Sequence, residues 1–166
     1  MPALLRSRQP VALVLSVLTT LSLALALAVT SSALTAQRAD ATTKVRHAVS
    51  VARHHIGDRY RWGADGPHRF DCSGLTYFAF HKRSGFRHFP RTAGAQAHFA
   101  RHIKKRHMRR GDLMFFYNRS GVYHVGIFVG FRHGHRMVLH SPYPGKRVHV
   151  ERVWTHRWFA GTMRHR

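Results

Sequence analysis

Apolar positions along this chain change their period once, near Gly111, and the change separates a helical part from a stranded part. Before it, Val45, Ala48, Val49, Ala52 and Ile56 share one face of a 3.6-residue repeat, with Lys44, Arg46, Arg53 and His54 on the others. That spacing predicts a helix from a cap at Thr42 or Thr43 to about Ile56, ended by Gly57-Asp58. Tyr60-Arg61-Trp62-Gly63 reads as a short extended piece before a glycine-rich loop at 63–67. Leu75, Phe78, Ala79 and Lys82 predict a second helix, capped by Asp71 and closed by Ser84-Gly85. Arg91-Thr92 opens a third, from Ala93 to about His102. After the Arg109–Asp112 turn the pattern shortens to period two. Strands are predicted over Leu113–Tyr117, Val122–Phe131, Met137–Ser141, around Val148–Val153, and over Phe159–Arg164. Helices first and a meander of strands afterwards predict an α+β fold with an antiparallel sheet.

One apolar segment stands outside that plan. Arg6 and Arg8 precede an almost wholly apolar or hydroxylated run, Val11–Val29, which is followed by the small-residue patterns Ser31-Ser32-Ala33 and Leu34-Thr35-Ala36. This reads as a secretory signal peptide over residues 1–36. An uncleaved membrane anchor is the other fate that so long a run allows. Residues 37–43 form a short polar lead-in, and 44–166 a single catalytic-size domain.

Charge changes the picture of partners. The chain has 28 Lys plus Arg against 6 Asp plus Glu, a formal net charge of +22, and sixteen histidines besides. An intracellular protein of this charge would point to nucleic acid. An exported one meets anionic wall polymers and phospholipid head groups instead, so no specific nucleic acid is expected. The densest basic stretch is Arg101, Lys104, Lys105, Arg106, Arg109 and Arg110, read here as a solvated face that does no chemistry.

Chemistry enters with Cys72, the only cysteine. It stands at a helix start, where unpaired amides and the positive end of the helix favour thiolate, the nucleophilic form. In an exported chain it has no intramolecular disulfide partner. A thiol nucleophile needs a base and a group to orient that base. His124 opens the second long strand and is the candidate base. His140 ends the next strand, where an antiparallel hairpin can set it beside His124. No His-Glu-x-x-His motif is present and no carboxylate stands close in sequence to a histidine pair, so no metal and no cofactor are expected.

Taken in order, Tyr60-Arg-Trp-Gly, Phe70-Asp-Cys-Ser-Gly-Leu, Pro90-Arg-Thr, Gly111-Asp-Leu-Met-Phe-Phe, His124-Val-Gly-Ile-Phe-Val-Gly and Val138-Leu-His-Ser resemble the successive motifs of the NlpC/P60 cell-wall cysteine peptidases. The likeness covers about residues 44–164. It implies a papain-like α+β fold, with Cys72 as nucleophile, His124 as base and His140 as the third, orienting member. It further implies that Tyr60 serves the oxyanion site and that Asp71 and Ser73 meet the free amino end of the substrate. The implied enzyme is a monomer, secreted or wall-associated, and cuts peptidoglycan stem peptides, typically between D-γ-glutamate and a diamino acid. Phe128 departs from the smaller or hydroxylated aromatic usual in the family, and the step from His124 to His140 is slightly long. Two alternatives stay open: a non-catalytic cationic wall or membrane binder, and an amidase or acyl transferase on the same fold.

Overall fold

Thr42 and Thr43 do not cap the first helix; they lie inside it. In a computed structural model, which describes residues 35–165, helix α1 covers 35–54. The two hydroxyls donate back to the carbonyls of Arg38 and Ala39 at 2.8 and 3.1 Å, the bond that a threonine within a helix makes. The stretch 37–43, expected as a lead-in, is therefore helical. The apolar run at 11–29, and with it the export segment, lies outside the described residues. Ala41, Val45, Ala48, Val49 and Ala52 are buried as one face of α1. Ile56 is not part of it: the helix ends at 54, Gly57 turns the chain at φ +101, and Ile56 is left 46% exposed.

Two short strands, β1 (Arg59–Tyr60) and β2 (Arg69–Phe70), pair in parallel and bracket the glycine-rich loop. Helix α2 (Cys72–Tyr77) follows and widens into a π turn over Phe78–Lys82, where the Arg83 N–H bonds the Phe78 carbonyl at 3.1 Å. Helix α3 (Ala93–Phe99) starts at its Thr92 cap and stops short of His102. Ala100 turns extended, and Arg101–Ile103 becomes a strand, β3, that the helical reading had absorbed.

The remaining strands are β4 (Leu113–Asn118), β5 (Gly121–Arg132), β6 (His135–His140), β7 (His149–Arg152) and β8 (Trp158–Thr162). They form a six-stranded sheet with β3, in the order β3-β8-β4-β5-β6-β7, antiparallel throughout. Strands β4 to β7 are a meander. β8 breaks it by returning to the far side of β4, which leaves β7 and β3 as the edges.

Period two assigns the two faces. Leu113, Phe115, Val125, Ile127 and Leu139 pack with the buried faces of the helices in the main core. Met114, Phe116, Phe128, Val138, Trp158 and Ala160 form a smaller cluster on the other face. The Gly111-Asp112 turn joins the sheet to α1 and to the chain's end. Gly111 sits at φ +95, and a Cβ there would lie 2.5 Å from Val45 Cγ1. The Asp112 carboxylate is 1% exposed and accepts from the Arg109 amide at 2.6 Å and from the Arg164 guanidinium. Among the described residues no helix is long and apolar enough to cross a membrane.

Candidate active site

Asp71 fixes the position of the cysteine. Its carboxylate accepts from the Gly74 amide at 2.6 Å, capping α2, and from the Gly63 amide at 3.0 Å, holding the preceding loop. The Arg91 guanidinium grips both oxygens, at 3.0 and 2.7 Å, and reaches the Ser73 hydroxyl at 3.0 Å. Burial works against the Arg91 charge, and the bond and charge of Asp71 more than offset it, so its pKa is raised. Gly74 lets the loop close on the helix: a Cβ there would stand 2.1 Å from the Ala64 carbonyl oxygen. Asp71 and Ser73, expected to meet a substrate amine, are thus both already engaged with Arg91.

The Cys72 thiol is set against β5, where the Val125 amide donates toward the sulfur. The Ser73 amide and its own amide do the same, as the helix start predicts, yet burial is the larger influence and pushes the thiol up. The helix-start amides do favour the thiolate, as expected, but desolvation outweighs them, with Asp71 adding to it, so the net shift of the thiol is upward. Tyr60 stands within electrostatic reach of both Cys72 and Asp71; its hydroxyl is raised by burial first and then by those two.

His124, the residue before Val125 in β5, is buried, and its Nε2 lies 2.8 Å from His140 Nδ1 on β6. The rings meet nearly edge to face, at 84°. Gly126 provides the room, since a Cβ there would come within 2.3 Å of Val138 Cγ2 and 3.1 Å of His140 Cβ. Burial holds the His124 imidazole down to about 4. His140 is lowered further, by burial and by its neighbours His124 and His149. Both are neutral at neutral pH.

Three residues that sequence reasoning passed over complete the surroundings. Trp154, between β7 and β8, stacks on Phe116 at 4.4 Å and on His140 at 5.3 Å, and meets His124 edge-on at 5.8 Å. Glu151 on β7 brings Oε1 to 3.0 Å from His140 Nε2, off the line of a good hydrogen bond. Arg91 was read as the start of a helix and as part of the Pro90-Arg-Thr motif, with no role of its own. None has a local signal: each acts across a loop or a strand pair, and only Arg91 falls in a stretch with a motif, Pro90-Arg-Thr.

Among known proteins, the NlpC/P60 family pattern matches residues 57–166. A Listeria innocua protein named "Probable endopeptidase p60" is 46% identical over 82 residues, covering 49% of this chain and 17% of its own length. The gamma-D-glutamyl-L-lysine dipeptidyl-peptidase of Bacillus subtilis is 40% identical over 105 residues, covering 61% of this chain and 33% of its own. The chain thus spans less than half the length of these relatives. The solved structure of the peptidoglycan hydrolase RipB from Mycobacterium tuberculosis superimposes with a TM-score of 0.64 at 28% identity, over 76% of this chain and 67% of that one. With the family pattern spanning both the cysteine helix and the two-histidine strand pair, this chain belongs to the NlpC/P60 family.

Proposed function

We propose that this protein is a secreted cysteine peptidase that hydrolyses peptidoglycan stem peptides, at the bond between D-γ-glutamate and the diamino acid. The observation that carries the reading is the meeting of Cys72 with the β5 backbone next to His124, whose other side is held by His140 at 2.8 Å. The bond assignment leans on the Bacillus subtilis relative's name. Export rests on the Arg6/Arg8 start and the Val11–Val29 run.

The chemistry follows from proton bookkeeping along the two rings. With His140 carrying its proton on Nε2, toward Glu151, its Nδ1 accepts the His124 Nε2–H. His124 is then left with a lone pair on Nδ1, the nitrogen that takes the thiol proton as sulfur attacks the amide carbon. The tetrahedral oxyanion forms beside the amides at the start of α2, with the Tyr60 hydroxyl as a further donor. The His124 imidazolium gives its proton to the leaving amine, then draws one from water as the acyl-enzyme is hydrolysed. His140 orients and does not transfer. Asp71 and Ser73 receive a substrate amine only in competition with Arg91. The first task of Asp71 on this reading is to hold Gly63 against the start of the cysteine helix.

Digestion of purified peptidoglycan is the test, with products identified by mass. Free diamino-acid-containing peptides and fragments ending in D-γ-glutamate are expected. Release of intact stem peptides from muramic acid would make the protein an amidase instead, and no release would leave the binder reading.

The basic face supports a second, non-catalytic task. Arg101, Lys104, Arg106, Arg109 and Arg110 are exposed beside a cleft of about 750 Å³ that Arg38 and Arg164 also line. Lys105 is less free, its Nζ lying 4.1 Å over the Trp158 ring and 3.2 Å from the His156 carbonyl. We read this face as the means by which the domain stays on anionic wall polymer or lipid. Attraction between exposed charges weakens as the screening length falls to about 8 Å at physiological salt and below it beyond. Wall retention is expected to drop steeply over that range, with turnover of a small stem peptide nearly unchanged. Retention that ignores both salt and replacement of these residues by Gln would remove the electrostatic reading.

A further inference from the structure

Among the described residues, one group of histidines and carboxylates has its ligand atoms drawn together: His140, His149 and Glu151, whose nitrogens and oxygen lie within 4.8 Å of one another. We propose that His140 Nε2, His149 Nε2 and Glu151 form a binding site for a divalent transition ion such as Zn²⁺, and that occupation of this site switches the peptidase off. The consequence for catalysis rests on the triad reading above; the binding does not.

The sheet builds the site. His140 and His149 are direct partners across β6 and β7, and Glu151 is two residues further along the same face of β7. Both histidines already have their other nitrogen committed. His149 Nδ1 donates to the Arg147 carbonyl at 2.7 Å, so its proton is on Nδ1 and Nε2 presents a lone pair. Nε2 lies 3.4 Å from Glu151 Oε2, a nitrogen and an oxygen turned toward one another. His140 Nδ1 is held by His124, and its Nε2 is buried, without a hydrogen-bond partner, and 3.0 Å from the same carboxylate. Fixing the far nitrogen by a carbonyl or a second ring is how proteins orient metal-binding imidazoles. Two imidazoles and a carboxylate, with a fourth position open to water, suit Zn²⁺. His149 and Glu151 are partly exposed, at 37% and 42%, so an ion enters from solvent, while His140 at 1% forms the floor. Tetrahedral ligands at zinc stand about 3.4 Å apart, so a small rotation of the half-exposed His149 closes the set.

The effect on the active site is a reversal of tautomers. Metal on His140 Nε2 moves that ring's proton to Nδ1, which then donates to His124 Nε2. His124 in turn carries its proton on Nδ1. Two protons are present before and two after, and none is released. On the triad reading, the nitrogen that takes the Cys72 proton has become a donor, and the base is gone.

The test uses the full chain after chelator treatment, with Co²⁺ as an optical probe and Zn²⁺ alone as the effector. Wild type is expected to take up one Co²⁺ with the strong visible bands of a tetrahedral site. His149→Ala should weaken that uptake by about tenfold or more. Zn²⁺ should inhibit wall hydrolysis and slow alkylation of Cys72 by iodoacetamide. His149→Ala should keep its metal-free activity and need about ten times more Zn²⁺ for either effect. Alkylation does not depend on which bond the enzyme cuts, so it separates a wrong site from a wrong substrate. Equal Co²⁺ uptake by wild type and His149→Ala, equal sensitivity of the two to Zn²⁺, or Zn²⁺ uptake that changes neither rate would each overturn the proposal.

Discussion

Cys72→Ser is expected to lower peptidoglycan turnover by about 10⁵- to 10⁶-fold while leaving the thermal midpoint almost where it was. The substitution keeps the shape of the side chain and its position at the Asp71-capped start of α2. What it removes is acidity. Burial already holds the thiol up, so its proton leaves only with the help of His124; a hydroxyl in the same place is far less acidic. His124→Ala should cost about as much, because nucleophile and base act as one unit. His140→Ala should cost less, about 10⁴-fold, since that ring orients the base and carries no transferred proton. The order is what discriminates: full activity in Cys72→Ala would end the peptidase reading and favour the cationic binder, and a His140→Ala loss equal to that of His124→Ala would mean that His140 takes part in proton transfer.

Those three residues were legible because each stands where a local signal marks it. Asp71 is a capping residue before an apolar helical repeat, and Cys72 comes next. His140 ends β6, and His124, expected to open its strand, lies inside β5, which begins three residues earlier at Gly121; both stand in runs of period two that fix their strands. The later strands were legible for the same reason. What was not legible shares a different physics. The π turn at Phe78–Lys82 buries Ala79 and Phe80 and leaves Lys82 exposed, where the sequence repeat had put Phe78 and Lys82 on the inner face. Strand β3 is three residues, Arg101-His102-Ile103, on a sheet edge, too short and polar for any alternation to register. Thr42 and Thr43 have the chemistry of caps and bond backward instead, a choice made by residues on their amino-terminal side. The net upward shift of Cys72 was not legible because the helix start is local and visible, whereas burial is set by the folded chain as a whole. Arg91, Glu151 and Trp154 matter through contacts between segments, which no single window contains.

Acidification of the metal-free protein is expected to destabilise it strongly between about pH 6.5 and 4, before its carboxylates are titrated. The cause is His124, held down to about 4 by burial, against 6.5 for an exposed ring. Below pH 6.5 the unfolded chain takes up a proton that the native site refuses, so stability falls as pH falls and is regained as pH rises. A displacement of that size corresponds to about 3 kcal/mol from this one residue, a large part of the 5–15 kcal/mol typical of a domain. His140 is lowered in the same direction and adds to the loss. Urea midpoints measured from pH 7.5 to 4 with a chelator present should therefore shift down by an amount that His124→Gln largely removes. The variant is expected to be less active at every pH and yet less sensitive to acid in its unfolding. A wild-type midpoint that stays level from pH 7 to 4.5 would mean that the buried pair accepts a proton without penalty, and the picture of two neutral rings would have to be given up.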